Sequence, residues 1–323
     1  MATMRAAVVY QAGGPEVLKI EQRPIPTPKA GQVLIQVKAF GLNRSELFTR
    51  QGHSPSVQFP RILGIEATGI VASCPGDEFQ RGDVVVTAMG EMGRVFDGGY
   101  ADYTCVSARN VQVIRTKLEW KVLGAMPEML QTAWGALFKG LRLQTGERLL
   151  VRGGTSSVGL AAAAIARNNG VFVMSTTRRP DKENYLKGNG AHEVIMDDGA
   201  IAKQIKKGKK FDKVLELIGT TTLRDSLHCV KEGGICCMAG ILGDEWTLDR
   251  FNPMEFIPTG VNLTSYTGGP DEFMDTPLEK LAEQVRDGKL KIQIGRTFGL
   301  DEIVEAHKLM EKNSAGGKLV VLT

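Results

Sequence analysis

RLLVRGGTSSVGLAAA, residues 148–163, is an apolar strand that leads through a loop of small residues into an alanine-rich helix. Small residues let a backbone approach a phosphate closely, and a helix N-terminus offers free N–H donors and a partial positive charge. The spacing is Gly153-x-x-Ser156-x-x-Gly159, which departs from the usual G-x-G-x-x-G of dinucleotide-binding loops. Because tight strand-to-helix turns also need glycine, the loop alone leaves an ordinary turn open as the alternative.

The surrounding sequence favours a phosphate-binding loop, because strand and helix candidates alternate after about Lys121. The predicted strands are 149–152, 171–175, 193–196, 211–217, 234–239 and 261–266, and the predicted helices include 158–168, 181–187 and 223–231. Such alternation with Val-, Ile- and Leu-rich strands is typical of a parallel sheet covered on both faces. The sequence therefore predicts an α/β fold with a doubly wound, parallel six-stranded Rossmann sheet, whose ligand crosses the carboxyl ends of the strands.

The end of the second predicted strand indicates which dinucleotide the predicted fold binds. NAD-binding folds place an acidic residue there, whereas this chain reads Ser-Thr-Thr-Arg-Arg-Pro-Asp-Lys over residues 175–182. Arg178 and Arg179 offer forked donors for a 2′-phosphate, and Lys182 adds a point charge. We therefore predict NADPH as the cofactor, with ordinary loop cations as the alternative. Asp181 is expected to cap the following helix.

The chain before residue 121 is β-rich. Strand candidates at 33–39, 69–72, 83–87 and 102–106 are separated by turns with Gly and Pro, which is typical of a small barrel. Two amphipathic helices, 277–287 and 301–312, precede a strand at 318–322 that is expected to rejoin this first domain. The predicted domains are 1–125 for substrate and catalysis, 126–267 for NADP, and 268–323 for the C-terminal helices and returning strand.

Composition narrows the class of protein. The 323 residues carry a net charge of +4, which is too small to indicate a nucleic-acid partner, and no apolar stretch is long enough to span a membrane. The five cysteines are odd in number and contain no C-x-x-C pair, so a reducing compartment is expected. We predict a cytoplasmic protein that binds neither nucleic acid nor membrane.

Four motifs together resemble the medium-chain dehydrogenase/reductase superfamily, and the resemblance covers essentially the whole chain. They are GLNRSE at 41–46, PRILGIEATGIV at 60–71, GGYADY at 98–103 and TAW at 132–134. The first is similar to the active-site turn of quinone oxidoreductases. The resemblance implies a GroES-like barrel in the first domain and a Rossmann domain in the second.

Departures from the zinc alcohol dehydrogenases of this superfamily point to its zinc-free branch. Those enzymes carry Cys in the active-site turn and His before the glutamate, where this chain has Asn43 and Ile65. The structural-zinc lobe is also missing, and Cys105 is the lone cysteine of its region. A catalytic zinc site normally needs three protein ligands, so no metal site is predicted. Glu66 is then expected to be a structural acid that pairs with a cation.

The site residues follow from the resemblance together with the loop and the charges described above. Asn43, Thr132 and Tyr103 are the candidate catalytic residues: the resemblance implies that the first two lie beside the nicotinamide, and Tyr103 is a candidate proton donor. Further cofactor-binding candidates are Gly154, Thr155, Ser156, Ser157, Val158, Thr176, Thr177, Arg178, Lys182, Gly240, Ile241, Leu242, Tyr266 and Lys318. The alternatives are a helix cap for Asn43, a buried helix hydroxyl for Thr132, packing aromatics for Tyr103 and Tyr266, and a surface lysine for Lys318.

The predicted function is an NADPH-dependent reductase that transfers hydride to quinones or α,β-unsaturated carbonyl compounds without zinc. A pathway-specific enoyl reductase of biosynthesis remains an alternative within the enzymes. A non-catalytic, crystallin-like NADPH-binding protein remains an alternative outside them. The resemblance further implies a homodimer formed through the edge strand of the Rossmann sheet at 261–266.

Overall fold

The computed structural model describes residues 2–54, 56–206 and 208–323. The chain forms two compact units. The first contains the residues up to Gln131 together with Gly269–Arg286 and Ile292–Thr323, and the second contains Thr132–Gly268 and Asp287–Lys291.

The N-terminal part of the first unit is mostly strand. Its strands are β1 (Thr3–Val9), β2 (Leu18–Pro24), β3 (Gln32–Gly41), β4 (Arg61–Ile62), β5 (Glu66–Ser73), β6 (Val84–Ala88), β7 (Tyr103–Ser107) and β8 (Gln112–Val113). Its helices are α1 (Arg44–Arg50) and α2 (Trp120–Gly124), and α3 (Pro127–Gly135) then leads into the second unit.

The second unit and the C-terminal part follow in chain order. The second unit contains β9 (Arg148–Arg152), α4 (Ser157–Asn168), β10 (Phe172–Thr177), α5 (Glu183–Gly188), β11 (Glu193–Met196), β12 (Phe211–Glu216), α6 (Thr220–Cys229), β13 (Val230–Met238), α7 (Pro253–Phe256) and β14 (Asn262–Ser265). The chain then returns to the first unit with α8 (Pro270–Asp275), α9 (Leu278–Arg286), β15 (Ile294–Gly299), α10 (Ile303–Glu311) and β16 (Lys318–Leu322).

The second unit is a doubly wound parallel sheet, as predicted. Its strand order is β11-β10-β9-β12-β13-β14, and every neighbouring pair is parallel. The order reverses between β9 and β12, and ligands of such sheets bind outside the carboxyl ends of the strands at this point. The loop of small residues at 153–156 lies there, between β9 and α4.

In the first unit, β15, β16, β3, β5, β6 and β8 form the main path of a seven-stranded sheet, with β7 also paired to β3. The C-terminal strand rejoins this sheet as expected, because β16 runs antiparallel to β3 and sets Val320 opposite Gly41. Apolar side chains from β3 and β16 pack in the same buried cluster. This cluster also contains residues of β1, so the C-terminal strand contributes to the core of the N-terminal part of the chain. This pairing brings Lys318 next to the turn after β3.

Two local predictions were wrong. The helix predicted at 223–231 ends at Cys229, because Val230 already pairs with Phe211 in the parallel sheet. Asp181 does not cap α5, which begins at Glu183, but instead accepts hydrogen bonds from the Arg179 side chain. Within the described residues, no helix is long and apolar enough to cross a membrane.

Candidate active site

The loop between β9 and α4 turns tightly from strand to helix. Gly153 has a φ of +85°, which favours glycine, and a Cβ on Gly159 would lie 2.6 Å from the Gly153 carbonyl oxygen. The first bond of α4 runs from Leu160 N to Ser156 O at 2.9 Å. The N–H groups of Ser157 and Val158 precede that bond, in the first turn of the helix, where backbone N–H groups commonly bind anions.

Ser156 stands where the common spacing has glycine, and its hydroxyl closes the loop. Its Oγ donates to the Gly153 carbonyl at 2.8 Å and accepts from Gly159 N at 3.0 Å. The hydroxyl proton is therefore used inside the loop, and the oxygen serves as the N-cap of α4. Where other loops of this kind have glycine, Ser156 stabilises the loop conformation through its two hydroxyl hydrogen bonds.

The tip of β10 is tied to this loop. Thr176 and Thr177 are both buried, and Thr176 Oγ1 accepts from Gly153 N at 3.1 Å. Thr177 Oγ1 accepts from Arg179 N at 3.1 Å, which fixes the turn that follows the strand. The tip of β10 is therefore tied both to the loop at Gly153 and to the turn that follows the strand.

The cations beyond this tip are not equivalent. Arg179 forms a bidentate pair with Asp181, with Nη2–Oδ2 and Nε–Oδ1 distances of 2.7 and 3.1 Å. Arg178 is exposed, and the Lys182 ammonium lies 5.2 Å from the centre of the Tyr185 ring. Asp181, the one acid among residues 175–182, is therefore paired with Arg179.

The other predicted cofactor residues of the second unit lie in two places. Leu242 N donates to the Leu217 carbonyl at 3.0 Å, and a Cβ on Gly240 would lie 2.6 Å from the same oxygen, so the loop after β13 packs on the loop after β12. Tyr266 packs on α3, because a Cβ on Gly135 would lie 2.0 Å from its hydroxyl oxygen. Thr132 is half-buried on this same helix.

In the first unit, Asn43 lies at the centre of a buried polar cluster with Glu46, Glu66 and Lys318. Its Nδ2 donates to Glu66 Oε1 at 2.9 Å and to Glu46 Oε1 at 3.2 Å, and its Oδ1 accepts from Lys318 Nζ. Asn43 precedes α1, yet its side chain makes no capping bond to the helix. The helix-cap interpretation is therefore wrong, and both amide hydrogens are used within the cluster.

Lys318 is buried, so the surface-lysine interpretation is also wrong. The side chain is 3% exposed, and its Nζ lies 3.0 Å from Glu66 Oε1 and 3.4 Å from Glu128 Oε2. Burial by itself lowers the pKa of the Lys318 ammonium, but the Glu66 and Glu128 carboxylates outweigh this effect and raise the pKa above its ordinary value. Glu66 pairs with a cation, as expected. A Cβ on Gly41 would lie 2.5 Å from Glu66 Oε1, so the glycine leaves room for this pair.

Glu46 was missed by the sequence analysis. It is 1% exposed, and Ile65 N donates to its Oε1 at 3.1 Å, whereas its Oε2 has no hydrogen-bond partner among the described residues. Burial raises the pKa of Glu46 to about 7, and the nearby Glu66 charge contributes in the same direction. Glu46 is therefore a carboxyl group that holds or releases a proton near neutral pH. Its place three residues after Asn43 was the only signal in the sequence.

Tyr103 is not part of this cluster. It lies on β7 and lines a separate cavity of about 570 Å³, whose walls also include Arg23, Asp97 and Cys105. The ring packs partly buried against the main apolar core of the first unit.

Comparison with known proteins agrees with this architecture. Residues 29–116 match the family described as "Alcohol dehydrogenase GroES-like domain", and residues 189–321 match "Zinc-binding dehydrogenase". The chain is 31% identical to the quinone oxidoreductase of Pongo abelii over 99% of its own length and 98% of that protein. The chain belongs to the quinone oxidoreductase-like branch of the medium-chain dehydrogenases/reductases.

Solved structures extend this result to the fold. The quinone oxidoreductase from Coxiella burnetii is 26% identical, with a TM-score of 0.85 over 100% of both chains. A mycobacterial protein complexed with NADPH is 24% identical, with a TM-score of 0.87 over 99% of this chain and 100% of that one. The predicted superfamily and the combination of a GroES-like with a Rossmann domain are thereby confirmed.

The polar cluster distinguishes this medium-chain dehydrogenase/reductase from the zinc-dependent members it resembles. In place of their Cys and His, Asn43 offers an amide and Ile65 an apolar side chain, and the Lys318 ammonium lies against Glu66. Across residues 2–54, 56–206 and 208–323, no group of three His, Cys, Asp or Glu side chains is placed to hold a metal ion. The cation beside Glu66 is the Lys318 ammonium.

Proposed function

We propose that the protein is a zinc-independent, NADPH-dependent reductase of quinones or α,β-unsaturated carbonyl compounds. The observation that carries the proposal is the ion pair of Lys318 with Glu66 beside Asn43, at the turn where the zinc enzymes of the superfamily have metal ligands. Similarity along the full chain to quinone oxidoreductases supports the same reaction class.

The second unit supplies the residues that would hold the cofactor. The loop of Gly154, Thr155, Ser156, Ser157 and Val158 would bind the pyrophosphate, and Arg178 with Lys182 would bind the 2′-phosphate at the tip formed by Thr176 and Thr177. Thr132, Gly240, Ile241, Leu242 and Tyr266 remain the candidates around the nicotinamide. The preference for NADPH rests on the positive charges of Arg178 and Lys182 beyond the tip of β10. It agrees with the NADPH complex of the mycobacterial neighbour. When bound, NADPH supplies the hydride.

In the first unit, Lys318 and Glu66 hold the Asn43 amide in one orientation. Because both Nδ2 hydrogens are already donated, a substrate oxygen gains one only by replacing the longer bond, which goes to Glu46. A donor aimed at the developing oxyanion would stabilise the transition state of hydride transfer. Glu46 holds a proton near neutral pH, since burial raises its pKa to about 7. Tyr103 would act as a proton donor only on a substrate that reaches its separate cavity.

The alternatives are distinguished by turnover. A pathway-specific enoyl reductase would share every feature above and differ in substrate. The second candidate is the non-catalytic, NADPH-binding alternative. It is favoured by the Asn43 side chain, because both of its Nδ2 hydrogens and its Oδ1 already form hydrogen bonds within the cluster. A homodimer is proposed through β14, which is the terminal strand of the Rossmann sheet and exposes an unpaired edge to a second copy.

The test is oxidation of NADPH by the purified protein, followed by absorbance. A benzoquinone, an ortho-naphthoquinone and a short-chain enone serve as acceptors, with NADH in parallel. We expect turnover with NADPH, little with NADH, and no change after treatment with a metal chelator. Tight binding of NADPH without turnover of any acceptor would replace the reductase by the non-catalytic alternative. Loss of activity on chelation would overturn zinc independence.

A further inference from the structure

Beneath the proposed cofactor site lies a buried charge network centred on Arg152, the last residue of β9. The Arg152 side chain is fully buried. Its Nε donates to Asp197 Oδ2 at 2.9 Å and its Nη2 to Asp197 Oδ1 at 2.8 Å. This is a bidentate pair, the strongest geometry that a guanidinium and a carboxylate form.

The pair encloses the tip of β10. Asp197 directly follows β11, and its backbone N–H donates to the Thr177 carbonyl at 2.8 Å. Since β10 lies between β9 and β11, the guanidinium of Arg152 spans from the first strand to the third across the second. Asp197 is therefore the acidic group beside the strand tip that precedes Arg178.

The remaining side of the guanidinium is held by α6. Arg152 Nη1 donates to Asp225 Oδ2 at 2.7 Å, to Ser226 Oγ at 3.1 Å and to the Thr222 carbonyl at 3.2 Å. These contacts fix the position of the charge, so that it cannot move toward or away from Asp197 without breaking bonds in a buried site.

Asp197 is charged but compensated. Burial by itself raises the pKa of Asp197, but hydrogen bonding and charge from Arg152 outweigh this effect and lower the pKa below its ordinary value. An uncompensated carboxylate at this tip would repel a 2′-phosphate and would instead accept hydrogen bonds from ribose hydroxyls.

We propose that Arg152 is a specificity-determining positioning residue, which neutralises Asp197 and so keeps the tip of β10 receptive to a 2′-phosphorylated nucleotide. The proposal rests on the proposed function, because it takes this tip as the adenosine site. Arg152 acts through Asp197 and through the strand tip, and Arg178 and Lys182 make the contacts.

The test measures binding of adenosine 2′,5′-bisphosphate and of AMP by calorimetry. The readout is the ratio of their two affinities, which a merely structural role would leave unchanged. In Arg152→Gln we expect the preference for the bisphosphate to fall about tenfold, because the Asp197 charge is no longer matched. In Arg152→Gln/Asp197→Asn the charge is removed, and the ratio should return to that of the wild type.

Two further variants keep the test decisive if Arg152→Gln does not fold. Asp197→Asn leaves the Arg152 charge in excess and should raise the ratio. Asp225→Asn also leaves the Arg152 charge in excess, but Asp225 lies on α6 and not beside the tip of β10, so this variant should raise the ratio less than Asp197→Asn does. An unchanged ratio in both Arg152→Gln and Asp197→Asn, or in Asp197→Asn alone where the former is unfolded, would overturn the proposal.

The outcomes separate this inference from the proposed function. A wild-type protein that binds both nucleotides and shows the expected changes, yet reduces no acceptor, contradicts the reductase and leaves the role of Arg152 intact. A protein that reduces quinones with NADPH while its variants keep one ratio contradicts only the role of Arg152. A wild type that binds neither nucleotide contradicts both.

Discussion

Lys318 and Glu66 form an ion pair at 3.0 Å in which neither side chain is more than 3% exposed. Removal of one partner leaves the other charged and buried, which typically destabilises a protein by about 3–5 kcal/mol. We expect Lys318→Met and Glu66→Gln each to lower the free energy of unfolding by about that amount, measured by urea denaturation at neutral pH. The double variant should lose clearly less than the sum of the two, because the buried charge is then gone. Additive losses would show that the pair is not coupled.

Glu46 should make the protein less stable as the pH rises from about 4.5 to 7. The native state keeps the proton up to a pKa of about 7, whereas the unfolded chain releases it near its ordinary value of 4.5. The unfolded state therefore binds fewer protons in this window, and stability falls by about 3 kcal/mol across it. The wild type loses this stability as the pH rises, and Glu46→Gln does not. The difference in unfolding free energy between the variant and the wild type should therefore grow by about this amount from pH 5 to pH 8, measured by urea denaturation. A gain that does not depend on pH would contradict the assignment.

His307 should act in the opposite direction. It is fully buried, its Nε2 lies 3.1 Å from the Tyr100 hydroxyl, and burial lowers its pKa to about 3. Below pH 6.5, His307 binds a proton in the unfolded chain but stays neutral in the native state. Stability is therefore lost as the pH falls toward 3. Between pH 6.5 and 4.5, His307→Gln should lose about 2 kcal/mol less than the wild type. Equal losses in the two proteins, by the same denaturation series, would argue against a neutral His307.

Ser156 tests whether the hydroxyl in the phosphate loop matters. Ser156→Ala removes the N-cap of α4 and should lower the free energy of unfolding by about 1 kcal/mol, and the KM for NADPH should rise. Ser156→Gly is the matched control, because it restores the common spacing and glycine substitutes for a cap at a loss of only a few tenths of a kcal/mol. If Ser156→Ala unfolds with the same free energy as the wild type and keeps its KM for NADPH, the hydroxyl does not support the loop.

Arg178 and Arg179 are adjacent in sequence but differ in their partners, which makes them a matched pair. Arg179 is held by Asp181 at 2.7 Å, whereas Arg178 is exposed beyond the tip of β10. Arg178→Ala should raise the Kd for NADPH about tenfold and leave that for NADH nearly unchanged, by fluorescence titration. Arg179→Ala should have a smaller effect. An equal loss of affinity for both dinucleotides in Arg178→Ala would contradict its assignment to the 2′-phosphate.

The elements of the second unit were largely predictable. Its strands and helices follow a local hydrophobic period, and the glycine spacing at 153–159 marks the turn that opens α4. The two errors have different causes. Val230 pairs with Phe211 on a neighbouring strand, which is a long-range contact that local periodicity does not register. Asp181 binds the side chain of Arg179, two residues before it, so a local ion pair replaced the expected helix cap.

The sequence by itself determined the fold class, the small-residue turn after β9 and the basic segment after β10, because each depends on residues that are neighbours along the chain. Only the tertiary structure placed Lys318 against Asn43, 275 residues away, and Arg152 against Asp197, 45 residues away. Both contacts depend on which strands pair, and burial beside charged partners then shifts the pKa values of Lys318 and Asp197. A periodic pattern specifies a strand, but the electrostatics of a buried site exist only once the strands have come together.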